Sequence, residues 1–427
     1  MTEAFLHYLW MNGLFTKPLT TTNNESIKVI NPGFHNIHSG PDFSDARLEI
    51  AGTLWAGNVE IHLNSSDWFR HGHHNDEAYN NVALHVVYKD DAAGRLPGMP
   101  VCELEGRIDL ELVKAFQHFI NSPGFVPCID ILGSISQIDM NLWLERMLIE
   151  KLEEKADYIQ DILVSSNNDW EEVLYRMLAR SFGFSVNALP FEMLSRSLSW
   201  KILAHHAHNP FQIEALLFGQ AGMLTHELTA TYGQELFKEY TFLRKKFKLV
   251  PMQSSLWKFL RMRPVNFPTI RIAQFSSLLS KNAGILSAIT KAHTVSEMMN
   301  LFEVQASEYW DDHFVFDKMT KGKPKFLGSS SGELLIMNAV LPFLFVYGSS
   351  NGDEQLCSRA LALFDQLPGE KNSSIIEWQK AGINVSTSFN TQALMHMKKN
   401  YCDKRECLNC RIGNLVLKKI SPKRVIV

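Results

Sequence analysis

Apolar positions recur at helical spacing over residues 3–15, where Phe5, Leu6, Leu9 and Trp10 fall on one face and predict a helix. A Thr/Asn-rich loop follows. "SIKVINPG" (26–33) predicts a short strand closed by Pro32 and Gly33. "ARLEI" (46–50) and "LWAGNVEIHL" (54–63) predict two strands joined by the turn "AGT". "SSDWFRHGHHNDEAYNN" (65–81) opens on Ser and Asp, residues that favour helix N-termini, and predicts a helix or helical turn. "VALHVVY" (82–88) is a short, Val-rich apolar run of the kind buried on both faces of a sheet. "DDAAGRLPGMP" (90–100) reads as a loop and "PVCELEG" (100–106) as a further strand. The order is therefore α-β-β-β-α-β within about the first hundred residues.

From about Ser136 the period changes. "QIDMNLWLERMLIEKLEEKADYIQDIL" (137–163) is a long amphipathic helix, and helical patterns recur at 170–183, 191–207, 211–224, 232–248, 271–281, 294–305, 331–350 and 390–402. The expected class is α+β, with an α/β domain over residues 1–130 and a mostly helical domain over 131–427. A chain of 427 residues makes two domains the default.

Composition changes this picture little. With 45% hydrophobic and 20% charged residues the chain reads as an ordinary globular protein. No run of eighteen apolar residues stands in the sequence, so no membrane span is expected. The opening "MTEAFLHYLWMNGLF" lacks the basic region and small-residue cleavage site of a signal peptide. Six cysteines are too few for a disulfide scaffold, and three of them cluster with metal-like spacing, so reduced thiols in a cytoplasm are expected.

Charge matters through its distribution. The net charge of −3 predicts no polyanion partner, but residues 241–280 hold eight Lys or Arg and no acid, and Lys398–Arg424 is basic too. Arg261, Arg263 and Arg271 surround a Pro-punctuated loop in the first of these runs and are candidate nucleic-acid contacts, because Arg forks match phosphate. A solvated helix face balanced by acids elsewhere is the competing reading. "LGSSSGELL" offers small residues and backbone N–H groups at a helix start, which suit a phosphate or a plain N-cap.

The chemistry concentrates early. Eight of the sixteen histidines lie in the first ninety residues, more than a solvated surface requires. Glu60 and His62, two apart on a predicted strand, leave one face. Asp42, ahead of the neighbouring strand, is placed to meet them. Two carboxylates suffice to hold Mg²⁺ or Mn²⁺, which polarises a phosphodiester and acidifies a bound water. His62 is then placed as a base. Asp67 and His71, four apart, would share a helix face and could bind phosphate, hold a second ion or brace His62. His73 and His74 read as solvated.

Pro41-Asp42 before one strand and Glu60-Ile61-His62 inside the next, in the order α-β-β-β-α-β, resemble the PD-(D/E)xK nuclease superfamily. The resemblance implies a restriction-endonuclease-like fold and metal ligation by Asp42 and Glu60, with the Ile61 carbonyl as a third ligand. His62 stands where that pattern has Lys. Over a longer span, "GPDFSDARLEI", "GNVEIHLNSSDW", "LARSFGF", "ALLFGQAG", "RPVNFPTIRIAQ" and "YCDKRECLNCRIGN" resemble an uncharacterised bacterial family, domain of unknown function 2851. That resemblance carries no activity of its own.

Cys402, Cys407 and Cys410 form C-x4-C-x2-C, three of the four ligands of a tetrahedral metal site, with Cys128, Cys357 or His396 available as the fourth. Zinc would clamp the tail. An iron–sulfur cluster is what nucleases of the resembled superfamily imply, and simple buried thiols are the alternative. "EALLFGQAG" reads as helix packing, with Gly219 and Gly222 allowing close approach. Three functions stay open: a metal-dependent nuclease acting on DNA or RNA, a non-catalytic nucleic-acid-binding or scaffold protein on a nuclease-like fold, and a zinc-dependent hydrolase of a small substrate using His62 and His71.

Overall fold

The computed structural model describes residues 1–92, 98–282 and 284–420. Part of the loop at 90–100 and the end of the basic tail, including Arg424, lie outside these described residues. The chain is α+β and forms two compact units, one of residues 1–143 with the segment from Met397 onward, the other of Leu144–His396.

The first unit begins with helix α1 (Glu3–Asn12), capped by the Thr2 hydroxyl, which accepts the Phe5 N–H at 3.2 Å. Gly13, at φ +62°, ends it in a left-handed turn, three residues before the apolar pattern runs out. Its buried stripe is Phe5, Leu6, Leu9 and Trp10, and the Phe5 ring stacks on Phe116 of α3 (Leu110–Asn121). Helix α2, a single turn, spans Asp67–Arg70.

Seven strands form one sheet: β1 (Leu19–Thr20), β2 (Ser26–Asn31), β3 (Phe34–His35), β4 (Phe43–Ile50), β5 (Thr53–Asn64), β6 (Val82–Lys89) and β7 (Val101–Glu103). The order is β1-β2-β4-β5-β6-β7, with β3 paired to β4. β2, β4 and β5 are antiparallel neighbours, whereas β5, β6 and β7 run parallel. Ala51 and Gly52 both take positive φ, so the β4–β5 connection is a two-residue turn whose twist matches the strands. β4 starts three residues earlier than its alternation predicts. A bulge between Phe43 and Ala46, with Asp45 at φ +55°, breaks the period there.

The parallel β5–β6 pair needs a crossover, and residues 65–81 supply it as α2 and two short 3₁₀ turns. Ser65 and Asp91 tie its ends together. The Ser65 hydroxyl donates to Asp90 and accepts the Ala92 N–H, and Asp91 accepts the Ser66 N–H at 2.9 Å. The C-terminal segment joins this unit. Arg411 pairs with Asp139 at 2.7 Å, Lys419 donates to the Ser134 carbonyl, and helix Arg411–Ile420 packs on α3. Sequence pattern alone groups this segment with the helical region, because its local period is the same and only long-range contacts tell the two apart.

The second unit is almost wholly helical. Its longest apolar helical stretch, Ser329–Ser350, is long and apolar enough to cross a membrane by length and composition, yet most of it is buried within the protein. The helical pattern at 191–207 divides into Ala188–Ser197 and Trp200–His205, because the chain turns extended at Leu198 and Ser199 and the buried Glu172 accepts the Trp200 N–H at 2.7 Å. A small hairpin, His313–Val315 with Lys318–Met319, is the one sheet in this unit among the described residues. Gly219 and Gly222 serve close packing as expected: a Cβ on Gly219 would lie 2.0 Å from the Tyr240 ring, and one on Gly222 2.1 Å from the Met252 carbonyl oxygen.

Candidate functional site

β5 is the spine of the site. Side chains alternate along it, so Val59 and Ile61 enter one face and are fully buried while Glu60 and His62 leave the other. The parallel register sets His85 of β6 beside Glu60, and His85 shares that face. Glu60, His62 and His85 are all buried, and buried polar groups demand partners.

The partners arrive from four directions. Asp42, just before β4, accepts the Ile61 N–H on Oδ2 at 2.9 Å, while Glu60 Oε2 accepts the Asp42 N–H at 3.0 Å. His7 of α1 brings Nε2 to 3.3 Å from Asp42 Oδ2, and its Nδ1 lies 3.3 Å from Nε2 of His35 on β3. The crossover adds His71 and His73. His62 Nε2 lies 3.1 Å from His71 Nδ1 and 3.4 Å from Glu60 Oε1, and His73 Nε2 lies 3.2 Å from that same oxygen. His62 Nδ1 meets His85 Nε2 at 2.9 Å.

Electrostatics follow from burial. Desolvation, with help from the Asp42 charge, pushes the Glu60 carboxyl up to about 8. Burial, then the neighbouring His71 and His73, pulls His62 down to about 4, and burial with His62 takes His85 to about 3. His73 is lowered by the same two causes, burial and His71. Burial alone would raise Asp42, but the His7 ring and the Ile61 N–H hold it below the ordinary carboxylate value. These shifts favour a protonated Glu60 and neutral His62 and His85. Neutral imidazole is the form that ligates metal, and a metal displaces the carboxyl proton.

The geometry fits an ion. His62, His71 and His73 present ligand nitrogens all within 4.8 Å of one another. Bonds of about 2.1 Å to one ion place neighbouring ligand atoms about 3.0–3.4 Å apart, and His62–His71, His73–Glu60 and His62–Glu60 lie 3.1, 3.2 and 3.4 Å apart. His73 Nε2 is buried and makes no hydrogen bond of good geometry, although the Glu60 carboxyl is beside it. His85 stands behind His62 as the outer partner that fixes a ligand's tautomer. Tyr79 stacks on His73 at 3.8 Å and Trp68 meets it edge-on, giving one wall an aromatic lining. His71 is exposed at the open side.

The residues singled out from sequence separate clearly. Glu60, His62 and His71 converge, and Asp42 is hydrogen-bonded into the same group. Asp67 lies beside them with its oxygens engaged by the Asn64 N–H at 3.1 Å and by Arg70 at 2.9 Å. His62 has both ring nitrogens against other imidazoles, a ligand's setting more than a base's. His73, which reads as solvated in sequence, turns inward, while His74 stays exposed against Phe69. Sequence reasoning passed over His85, His7 and His35. A lone His within a Val-rich strand and the Glu3/His7 pair, four apart on α1, were the available signals.

The cysteines also gather. Cys128, Cys402, Cys407 and Cys410 are all buried in the first unit, and each interacts electrostatically with others of the four. Burial pushes the Cys128 and Cys407 thiols up to about 12. Gly413 keeps the C-terminal turn tight: a Cβ there would lie 2.1 Å from the Cys407 carbonyl oxygen. No three of the four sulfurs lie within 4.8 Å of one another. Cys357 and His396 belong to the second unit, where Cys357 donates to the Phe345 carbonyl and His396 lies 3.5 Å from Glu150.

In the second unit Arg261 and Arg263 are largely solvent-exposed, whereas Arg271 is buried inside helix Pro268–Lys281. Ser331, from the Ser-rich helix start, hydrogen-bonds to it at 3.2 Å.

Fold and site together define an α+β protein whose N-terminal sheet carries a histidine- and carboxylate-rich centre, followed by a large helical part. The family described as a protein of unknown function (DUF2851) matches residues 3–373, and the chain belongs to that family. No curated protein and no solved structure matches the chain significantly.

Proposed function

We propose that the N-terminal unit is a divalent-metal-dependent hydrolase that cleaves phosphodiester bonds in nucleic acid, with the ion held by Glu60, His62, His71 and His73. The observation that carries this reading is the cluster of His62, His71 and His73, whose ligand nitrogens lie within 4.8 Å of one another, with Glu60 Oε1 3.4 Å from His62 Nε2 and 3.2 Å from His73 Nε2. When bound, the ion would acidify a water and polarise the scissile phosphate. The chain's own residues do the rest. His85 holds the His62 ring through Nδ1, the Asp42 N–H holds the second oxygen of Glu60, and Trp68 and Tyr79 exclude water from one side.

The substrate class rests on the likeness to PD-(D/E)xK nucleases: the order α1, β2, β4, β5, α2, β6, with Asp42 and Glu60 at the two acid positions. Were Mg²⁺ or Mn²⁺ the ion, the resemblance would make Asp42 the second carboxylate beside Glu60 and the Ile61 carbonyl a further ligand. The acid-free basic run at 241–280 adds a phosphate-tracking surface elsewhere in the chain. A second reading, a zinc-dependent hydrolase of a small substrate, is favoured by the three imidazole nitrogens against one carboxylate.

The test is cleavage of end-labelled single- and double-stranded DNA and RNA by wild type and Glu60→Gln, with Mg²⁺, Mn²⁺, Zn²⁺ or EDTA. Metal-dependent cleavage lost in Glu60→Gln supports the nuclease. Salt-sensitive binding without cleavage in any metal leaves a nucleic-acid-binding protein on a nuclease-like fold. Tight zinc with neither binding nor cleavage moves the substrate to a small molecule.

We infer as well that Cys128 completes a four-cysteine site with Cys402, Cys407 and Cys410. An iron–sulfur cluster suits it better than zinc. Thiolates on one tetrahedral zinc lie about 3.8 Å apart, whereas a cluster places them on separate irons and spreads them wider. Metal analysis of anaerobically purified protein tests this.

A further inference from the structure

Arg271 is a buried cation without an anion. Only 7% of it is exposed. Its guanidinium donates to three neutral oxygens, Gln274 Oε1 at 3.0 Å, Asn266 Oδ1 at 2.7 Å and Ser331 Oγ at 3.2 Å, and lies over the Phe184 ring at 4.5 Å. Its Nε is buried with no hydrogen-bond partner. Among the described residues no carboxylate pairs with it, and burial is the sole cause that pulls its pKa down, to about 10. A charge left unpaired in this way costs folding free energy. Buried charged groups with perturbed pKa values cluster at functional sites.

The surroundings say which ligand. Arg271 lines a cavity of about 420 Å³, within the range of small-molecule sites. Arg261 and Arg263 line it too, and no Asp or Glu does. The loop carrying the two exposed arginines is pinned by Asn187, whose side chain accepts the Lys258 N–H and donates to the Lys258 carbonyl, both at 2.9 Å. An adjoining cavity that shares Phe184, Ser185 and Leu334 is of mixed charge, with Glu154, Glu192 and Glu370 beside Lys155 and Arg180. Three arginines lining one acid-free space suit a phosphate, whose oxygens arginine forks bind in pairs. Val186 and Met262 beside them give an apolar wall for an organic group carrying that phosphate.

We infer that this cavity in the helical unit is a phosphate-binding site, with Arg271 as its buried anchor and Arg261 and Arg263 at its mouth. It is independent of the metal centre. It brings together two stretches that read as unrelated in sequence, the Arg-rich loop and the Ser-rich helix start. The phosphate can belong to a small phosphorylated molecule or to the end or backbone of a nucleic acid, and the chemistry of recognition is the same.

The experiment is thermal unfolding and isothermal titration of the full chain with EDTA present. The probes are inorganic phosphate, a 5′-mononucleotide, the matching nucleoside, a short single-stranded oligonucleotide, and chloride at equal ionic strength. Phosphate and mononucleotide at a hundredfold excess over Kd should raise Tm by roughly 5 °C or more, while nucleoside and chloride do not. Arg271→Met should abolish the shift. The double variant Arg261→Ala, Arg263→Ala changes exposed residues and keeps the fold, and it should weaken phosphate binding at least tenfold. Glu60→Gln should bind as wild type does, which separates this site from the metal centre. Oligonucleotide binding that is tighter than mononucleotide binding, and lost in the same variants, assigns the phosphate to nucleic acid; equal binding assigns it to a small molecule. Equal responses to phosphate and chloride, or unchanged phosphate binding in the double variant, would overturn the assignment. If Arg271→Met does not fold, the double variant decides.

Discussion

Asp42 and Glu60 hold each other's strand in place. The Asp42 N–H goes to Glu60 Oε2 at 3.0 Å, and the N–H that follows Glu60, that of Ile61, returns to Asp42 Oδ2 at 2.9 Å. The pair fixes the second oxygen of Glu60 and leaves Oε1 toward His62 and His73. Asp42→Asn keeps an acceptor for the Ile61 N–H, so it preserves the fold and removes only charge. If the pair is the magnesium or manganese site of a nuclease, Asp42→Asn abolishes binding of those ions. If the ion sits among the imidazoles, Zn²⁺ affinity falls roughly 10–100-fold, the cost of an outer partner. Competition titration with a chelator for each metal separates the two outcomes.

His85 is predicted to act through His62. His85→Leu removes the partner of His62 Nδ1 while keeping an apolar side chain in a fully buried position. Metal affinity should fall roughly 10–100-fold, and the stranded His62 Nδ1 should cost about 1–3 kcal/mol of stability. A variant that binds metal as wild type does would make His85 a packing residue only.

Cys128 should matter to the bound metal as much as Cys407 does. Cys128→Ser and Cys407→Ser are each expected to remove most iron from protein purified without oxygen, together with its visible absorbance. Cys357→Ser, in the other unit, should leave both unchanged. Iron retained in Cys128→Ser would exclude it as the fourth ligand.

Lys155 gives a pH dependence of known sign. Its ammonium donates to the Asn338 carbonyl at 3.0 Å, and burial, ahead of the nearby Lys151, lowers its pKa to about 8. The folded state therefore favours neutral Lys155. That contribution is fully present above the unfolded value and is lost as pH falls toward 8. Between pH 8 and 10 the chain should gain about 2 kcal/mol relative to Lys155→Met, allowing for partial exposure. Parallel denaturant curves for the two proteins across this window check it; curves that stay parallel would mean the lysine is solvated.

Gly219→Ala should be costly, because its Cβ would overlap the Tyr240 ring, whose hydroxyl donates to Gln220. A loss of roughly 1–3 kcal/mol in urea unfolding is expected, and Tyr240→Leu in the same chain should recover part of it.

Local pattern determined much of this protein. The stripe of α1, the alternation of β5, the Val-rich β6 and the long helices each bury an apolar face, and the periods 2 and 3.6 record that directly. The same alternation put Glu60 and His62 on one face, and the C-x4-C-x2-C spacing marked three thiols. What the chain could not carry locally was pairing between distant segments. Only the parallel β5–β6 register sets His85 beside Glu60, and only the fold of the crossover turns His73 inward while leaving His74 in water. Cys128 reaches the C-terminal cysteines across more than two hundred and fifty residues of sequence. Arg271 and Ser331 meet because two helices pack, and one-dimensional spacing holds no trace of that. Periodicity reports which side of an element is apolar. The register and packing that bring polar groups from separate elements to a common point are decided by the tertiary structure.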